Sequence, residues 1–234
     1  MKAWYVLKPD IANLDDIVRE CDTLLVNGFA LDGGVNGRYP TRDELEGISD
    51  KYRPLGIKVV PVLIWADGDR KFVPGDMNYV NSKIDEARRL FITGRYDGIV
   101  FDIEGYFREL FGNPWNDTDD MTSEWREMAD LMRDALDFPI TGQMPYKTMQ
   151  AISCWPDGFY HFLESTYGGI KFWDTVKLTV QDIWYRCLYG IRRTYVPGLW
   201  KETFTPEEFE RQKELAVRYY GGYWIYSDAK GKKK

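Results

Sequence analysis

Short apolar runs alternate with segments of helical periodicity along the whole chain, and this alternation restricts it to a parallel sheet of βαβ units. Strands are predicted at Ala3–Leu7, Thr23–Ala30, Ile57–Trp65, Gly98–Glu104, Ile140–Pro145, Phe162–Tyr167, Arg193–Leu199 and Tyr223–Ser227. Helices are predicted at Leu14–Glu20, Arg42–Tyr52, Tyr79–Thr93, Met121–Leu136, Lys147–Ile152, Phe172–Tyr189 and Pro206–Tyr219. Thr41 before an acidic first turn, and Thr205-Pro206-Glu207-Glu208 with Pro at the first helical position, are helix starts. Eight strands in 234 residues suit one domain with a single core. The expected fold is α/β, a single (β/α)8 TIM barrel over residues 1–228, followed by a basic disordered tail at 229–234. In such a barrel the loops after the strands carry the chemistry, and the turn-rich stretch 112–120 follows the fourth strand.

The net charge is −6, so no overall field draws the chain to nucleic acid or to an anionic membrane, and neither is expected as a partner. No apolar run approaches a membrane span. The first ten residues contain no signal-peptide h-region, being interrupted by Lys8 and Asp10. The expectation is a cytoplasmic protein, with release or export by another route left open. Cys21, Cys154 and Cys187 are widely spaced and contain no C-x-x-C pair, which argues against a disulfide framework. With His161 the single histidine, the usual zinc ligand sets cannot be assembled, and neither metal nor other cofactor is expected. Nine Trp and sixteen Tyr exceed what a core needs, and their flat apolar faces with polar edges suit sugar binding. Trp65, Trp115, Trp200 and Trp224 are the rings expected to line such a cleft; ordinary core and rim packing is the alternative.

The chemistry concentrates in Asp97-Gly98-Ile99-Val100-Phe101-Asp102-Ile103-Glu104-Gly105. Side chains alternate along a strand, so Ile99, Phe101 and Ile103 share the face toward the helices, while Gly98, Val100, Asp102 and Glu104 share the inner one. Asp102 and Glu104 would then stand about 7 Å apart at the carboxyl end of a central strand. An unpaired carboxylate there is costly or becomes protonated, and a neighbouring like charge can keep one acid protonated near neutral pH. Two other uses of the pair remain open: ion pairing to Arg192 or Arg193, and a divalent-cation site with Asp32 or Asp67.

Asp97-Gly98-x-x-x-Asp102-x-Glu104 resembles the D-G-x-D-x-D-x-E signature of family-18 glycoside hydrolases, the chitinase-like barrels. The family's first inner Asp is Val100 here. Val26-Asn27-Gly28-Phe29-Ala30 resembles the family's second strand and Phe138 through Pro145 its fifth. Glu164-Ser165-Thr166-Tyr167 resembles the sixth, with Gly168 where an acid or amide normally follows, and Gly221 through Ser227 the last, with Tyr226 where the family usually has Trp. The third strand lacks the family's S-x-G-G pattern.

The resemblance implies hydrolysis of N-acetylglucosamine-containing oligosaccharides or polysaccharides by substrate assistance. Glu104 would be the acid, Asp102 would orient the substrate's acetamido group, and Tyr167 would hydrogen-bond its oxygen. Tyr226, Trp224, Tyr146, Trp65 and Gln143 are the implied substrate-binding residues. A catalytically weak glycan-binding barrel, a metal-dependent hydrolase, and a retaining glycosidase using Glu104 with Glu164 are the competing readings.

Overall fold

The computed structural model describes residues 1–27, 39–64, 66–67, 70–71, 77–102, 140–143, 160–163, 167–173, 175–176, 179–180, 183 and 194–227. Its strands are β1 (Lys2–Val6), β2 (Thr23–Val26), β3 (Lys58–Ile64), a short hairpin of β4 (Ala66–Asp67) and β5 (Arg70–Lys71), then β6 (Ile99–Asp102), β7 (Ile140–Gln143), β8 (Tyr160–Leu163), β9 (Thr194–Trp200) and β10 (Tyr223–Tyr226). Eight of them are parallel and hydrogen-bond in the closed order β1-β10-β9-β8-β7-β6-β3-β2. Helices α1 (Leu14–Ile17), α2 (Arg42–Tyr52), α3 (Met77–Ile92) and α4 (Pro206–Tyr220) lie in connections between them.

Alternation along the strands sorts the apolar residues into two layers. Ala3, Tyr5 and Leu7 from β1 and its end join Leu25, Val60, Val62, Val100, Val196 and Trp224 in the ring's interior. Trp4, Val6, Leu24, Val26, Val59, Leu199, Tyr223 and Ile225 point the other way, against Leu45, Ile48 and Tyr52 of α2 and Phe209 and Ala216 of α4. Each such fully buried aliphatic side chain contributes about 1.5–3 kcal/mol, so burial on both faces selects a continuous apolar strand. Val100 lies in the interior cluster at 1% exposure, the face expected for it.

The helix starts form as their sequences predict. In α2 the Thr41 side chain accepts the Glu44 N–H at 3.3 Å, while the Glu44 carboxylate accepts the Thr41 N–H at 2.7 Å. In α4 Thr205 and Glu208 repeat this reciprocal cap with Pro206 at the first position. Such caps satisfy amides that the helix itself leaves unpaired. The ring closes where β10 meets β1: the Tyr223 N–H donates to the Met1 carbonyl, and a Cβ at Gly222 would run into that same carbonyl.

Several boundaries differ from expectation. Register with β9, Tyr160 opposite Thr194 through Leu163 opposite Pro197, starts β8 two residues early, so Tyr167 lies in the turn that follows. The first connection begins with a 3-10 helix, Lys8–Asn13, because Pro9 opens it and Asp10 accepts the Leu7 N–H at 2.8 Å; α1 is correspondingly short. The β4–β5 hairpin was not expected, although Gly68-Asp69, the two residues between the paired Asp67 and Arg70, is a recognised hairpin turn signal in sequence. Helical turns occur at 172–173, 175–176, 179–180 and 183, within the helix expected from 172. The helices expected at 121–136 and 147–152, and the basic tail, lie outside the described residues.

Candidate active site

The described part of the motif, Asp97 to Asp102, runs from just before β6 to its carboxyl end. Asp97, just before the strand, accepts Arg53 Nε and Nη2 at 3.0 Å each and the Val59 N–H at 2.9 Å. Arg53 also donates to the Gly94 carbonyl at 2.7 Å. Nearby, Arg95 pairs with Glu46 at 2.8 Å, and Ser49 donates to the Arg95 carbonyl. The amino end of β6 is thus tied to α2 and its C-cap by partly buried, hydrogen-bonded ion pairs, and Asp97 is an anchor there.

Asp102 is the last residue of β6, at the carboxyl end, two positions beyond interior Val100. Its register partners are Ile64 on β3 and Gln143 on β7. One layer lower, Val100 lies opposite Val62 and Thr141. Asp102 and Gln143, both expected from sequence, therefore share one level of the ring at adjacent strand ends. Glu104, Tyr146, Trp65, Trp115, Glu164, Asp32 and Arg192 and Arg193 lie outside the described residues.

The strand diametrically opposite β6 is β10, four strands away in either direction. Around its carboxyl end aromatic rings gather in a layer. Tyr226 stacks with Tyr167 at a centroid distance of 5.9 Å and meets Trp200 edge-on at 6.0 Å and Tyr5 at 5.8 Å. Tyr167 also meets Trp224 at 5.3 Å and Trp200 at 6.2 Å. Trp224 is only 1% exposed and supports Tyr5 and Tyr167 from within, whereas Tyr167, Trp200 and Tyr226 are half-buried. Offset and edge-on ring pairs of this kind hold one another in place. Buried Asn27 at the end of β2 donates through Nδ2 to the Tyr5 hydroxyl at 3.3 Å, so the layer carries polar groups.

Tyr5 was not singled out from sequence. Its signal was inward parity with Ala3 and Leu7 together with a polar tip at a strand's end. Asn27 stood within a motif but had no assigned role.

Above β1, β9 and β10 the rim is stitched by side chains. Ser227 donates to Glu202 at 2.6 Å, and Lys201 lies over the Trp4 ring at 5.1 Å. Burial raises the Asp10 carboxyl above the usual range, opposed by the Leu7 N–H that it accepts. Among the described residues no three His, Cys, Asp or Glu side chains gather as metal ligands. No helix among them is long and apolar enough to cross a membrane.

No family model and no curated protein sequence matches the chain. Solved structures do share its fold. The glycoside hydrolase domain of PelA from Pseudomonas aeruginosa superposes with a TM-score of 0.57 at 12% identity, covering 96% of this chain and 93% of that one. An alpha-amylase from Malbranchea cinnamomea gives 0.59 at 10% identity, over 97% of this chain and 68% of the amylase. A GH18 chitinase from Pseudoalteromonas aurantia gives 0.51 at 13% identity, over 97% and 94%. At such identities the likeness is one of fold, and this α/β fold is one on which several glycoside hydrolases are built.

Proposed function

We propose that the chain is a (β/α)8 barrel acting as a glycoside hydrolase on N-acetylglucosamine-containing glycans, of chitinase or endo-N-acetylglucosaminidase type. The observation that carries this reading is the mouth itself: a layer of Tyr5, Tyr167, Trp200, Trp224 and Tyr226 on one side, and the strand end bearing Asp102 diametrically opposite. Half-buried Tyr167, Trp200 and Tyr226 can stack on a sugar and bond its hydroxyls, with buried Tyr5 and Trp224 behind them rather than in contact with it, while acids at the facing strand end supply proton transfer. The fold shared with glycoside hydrolases adds support.

In the proposed reaction Glu104 gives its proton to the glycosidic oxygen as the bond to the anomeric carbon breaks. The substrate's acetamido oxygen forms the new bond to that carbon, and Asp102 holds the acetamido N–H. Water then attacks the same carbon, losing a proton to the Glu104 carboxylate and returning the acetamido group. Only one protein carboxylate needs to donate and accept the proton, which is why a second at 5 Å is not required. Gln143, level with Asp102, would contact the sugar from β7.

A specific observation favours a second reading. Val100 packs with Val62, Leu25 and Tyr5 in the interior cluster, so the position two residues before Asp102 on its own strand carries no acid. A barrel that binds glycans with weak turnover fits that arrangement.

Hydrolysis of N-acetylglucosamine oligomers, followed by product chromatography, separates the two. Glu104→Gln should lower hydrolysis by more than ~100-fold while leaving binding intact, because the amide keeps the shape and has no acidic proton. Binding without turnover in the unaltered protein would establish the second reading. Activity lost to a chelator and restored by a divalent cation would overturn both in favour of a metal-dependent hydrolase.

A further inference from the structure

We infer that Gln212, on the outside of the ring, is a positioning residue for the mouth: through Ile170 and Gly169 it sets where the Tyr167 ring lies over the aromatic layer. Tyr167 follows the end of β8 by four residues and belongs to no strand. Its ring nevertheless meets three others, Trp200, Trp224 and Tyr226. The chain then passes exposed Gly168 and turns at buried Gly169, whose φ of +108° is a value that L side chains rarely adopt. Directly afterward the Ile170 N–H donates to Gln212 Oε1 at 2.8 Å, and Ile170 packs against the outer core.

The fit around the turn is close. A Cβ on Gly169 would lie 3.2 Å from Gln212 Nε2 and 3.5 Å from Phe204, so turn, amide and helix are shaped to one another. Gln212 belongs to α4, which is capped by Thr205 and Glu208 and seated by Phe209 and Ala216. A loop side chain takes its position from the nearest rigid point of its backbone, and here that point is three residues away on a fixed helix. Gln212 acts through Tyr167. The consequence for sugar binding rests on the function proposed above, whereas the positional claim stands without it.

The test places 3-fluorotyrosine at position 167 and reads its fluorine resonance. Gln212→Leu keeps the size and removes the acceptor, so the resonance should move or broaden while far-ultraviolet circular dichroism is retained. Gln212→Glu keeps an acceptor for the Ile170 N–H and should give the wild-type resonance. Gly169→Ala strains the turn itself and should displace the ring as Gln212→Leu does. KM for the N-acetylglucosamine tetramer should rise about 10-fold or more in Gln212→Leu and Gly169→Ala and stay near wild type in Gln212→Glu, given what misplacement of a positioning group costs.

A resonance unmoved in folded Gln212→Leu and Gly169→Ala would overturn the inference, as would equal displacement by Glu and Leu at 212. Should Gln212→Leu fail to fold, Gly169→Ala against Gln212→Glu decides the same point. A protein that binds no glycan would remove the proposed function, while the fluorine comparison still judges the positioning.

Discussion

Asp97 and Asp102 belong to one nine-residue motif, yet they lie at opposite ends of β6. Asp97 accepts two hydrogen bonds from Arg53 and one from the Val59 amide, and the neighbouring pairs of Arg95 complete a charged floor. Asp102 ends its strand level with Ile64 and Gln143, above Val100 and across from an aromatic layer. The floor neutralises its charges locally, as a structural network should. At the other end Asp102 closes β6 at the level of Gln143, the strand-end position where the proposed proton chemistry would act. A carboxylate motif read as one functional unit thus divides into an anchor and a candidate reacting group.

The contrast is broken most sharply by paired substitutions. Asp102→Asn should slow turnover of acetamido sugars by about 100-fold with little change in melting temperature, whereas Asp97→Asn should leave the turnover of folded protein near wild type. Equal loss of activity from both would erase the distinction between mouth and floor. For stability the order reverses. Asp97→Ala leaves Arg53 and the Val59 N–H short of an acceptor, so chemical denaturation should report a loss of about 1–3 kcal/mol, larger than that of Asp102→Ala.

Removing a ring that borders the mouth should act on binding. Trp200→Ala should weaken association with an N-acetylglucosamine oligomer about tenfold, roughly 1.4 kcal/mol, measured by calorimetry. The same substitution should hardly alter a glycan-independent property such as solubility.

The rim above β1 also carries a pH signature. Burial raises the folded-state pKa of Asp10, so as pH rises from below its ordinary value the unfolded chain ionises first, and a destabilisation develops that is complete above the folded pKa. Asp10→Asn, which keeps an acceptor for the Leu7 N–H, should raise the melting temperature at pH 7 and lose that advantage near pH 3. A constant difference at all pH values would show that titration is not its origin.

The smallest effect concerns the floor side. Cys21, before β2, is buried and its thiol is pushed up to about 12 by desolvation. It should therefore react with iodoacetamide at pH 8 only after unfolding, as mass spectrometry would show. Labelling of the native protein would mean that this end opens locally.

The eight strands were legible in the chain because burial on both faces demands apolar runs, and those runs are local in sequence. Helices α2 and α4 were legible to within one residue because Thr41 with Glu44, and Thr205 with Pro206 and Glu208, form caps from neighbours in the chain. The inward face of β6 followed from alternation, and Val100 occupies it. Tertiary structure alone decided which partners those faces meet. Arg53 reaches Asp97 across 44 positions, and Asn27 reaches Tyr5 across 22, separations at which no pattern specifies a pair. The level of Asp102 with Gln143, the grouping of Tyr5 with Trp200 and Tyr226, and the hold of Gln212 on the Tyr167 turn likewise arise only when parallel strands take their register and close the ring. Local periodicity is written in consecutive residues, whereas a site assembled at strand ends depends on closure, which brings remote residues together.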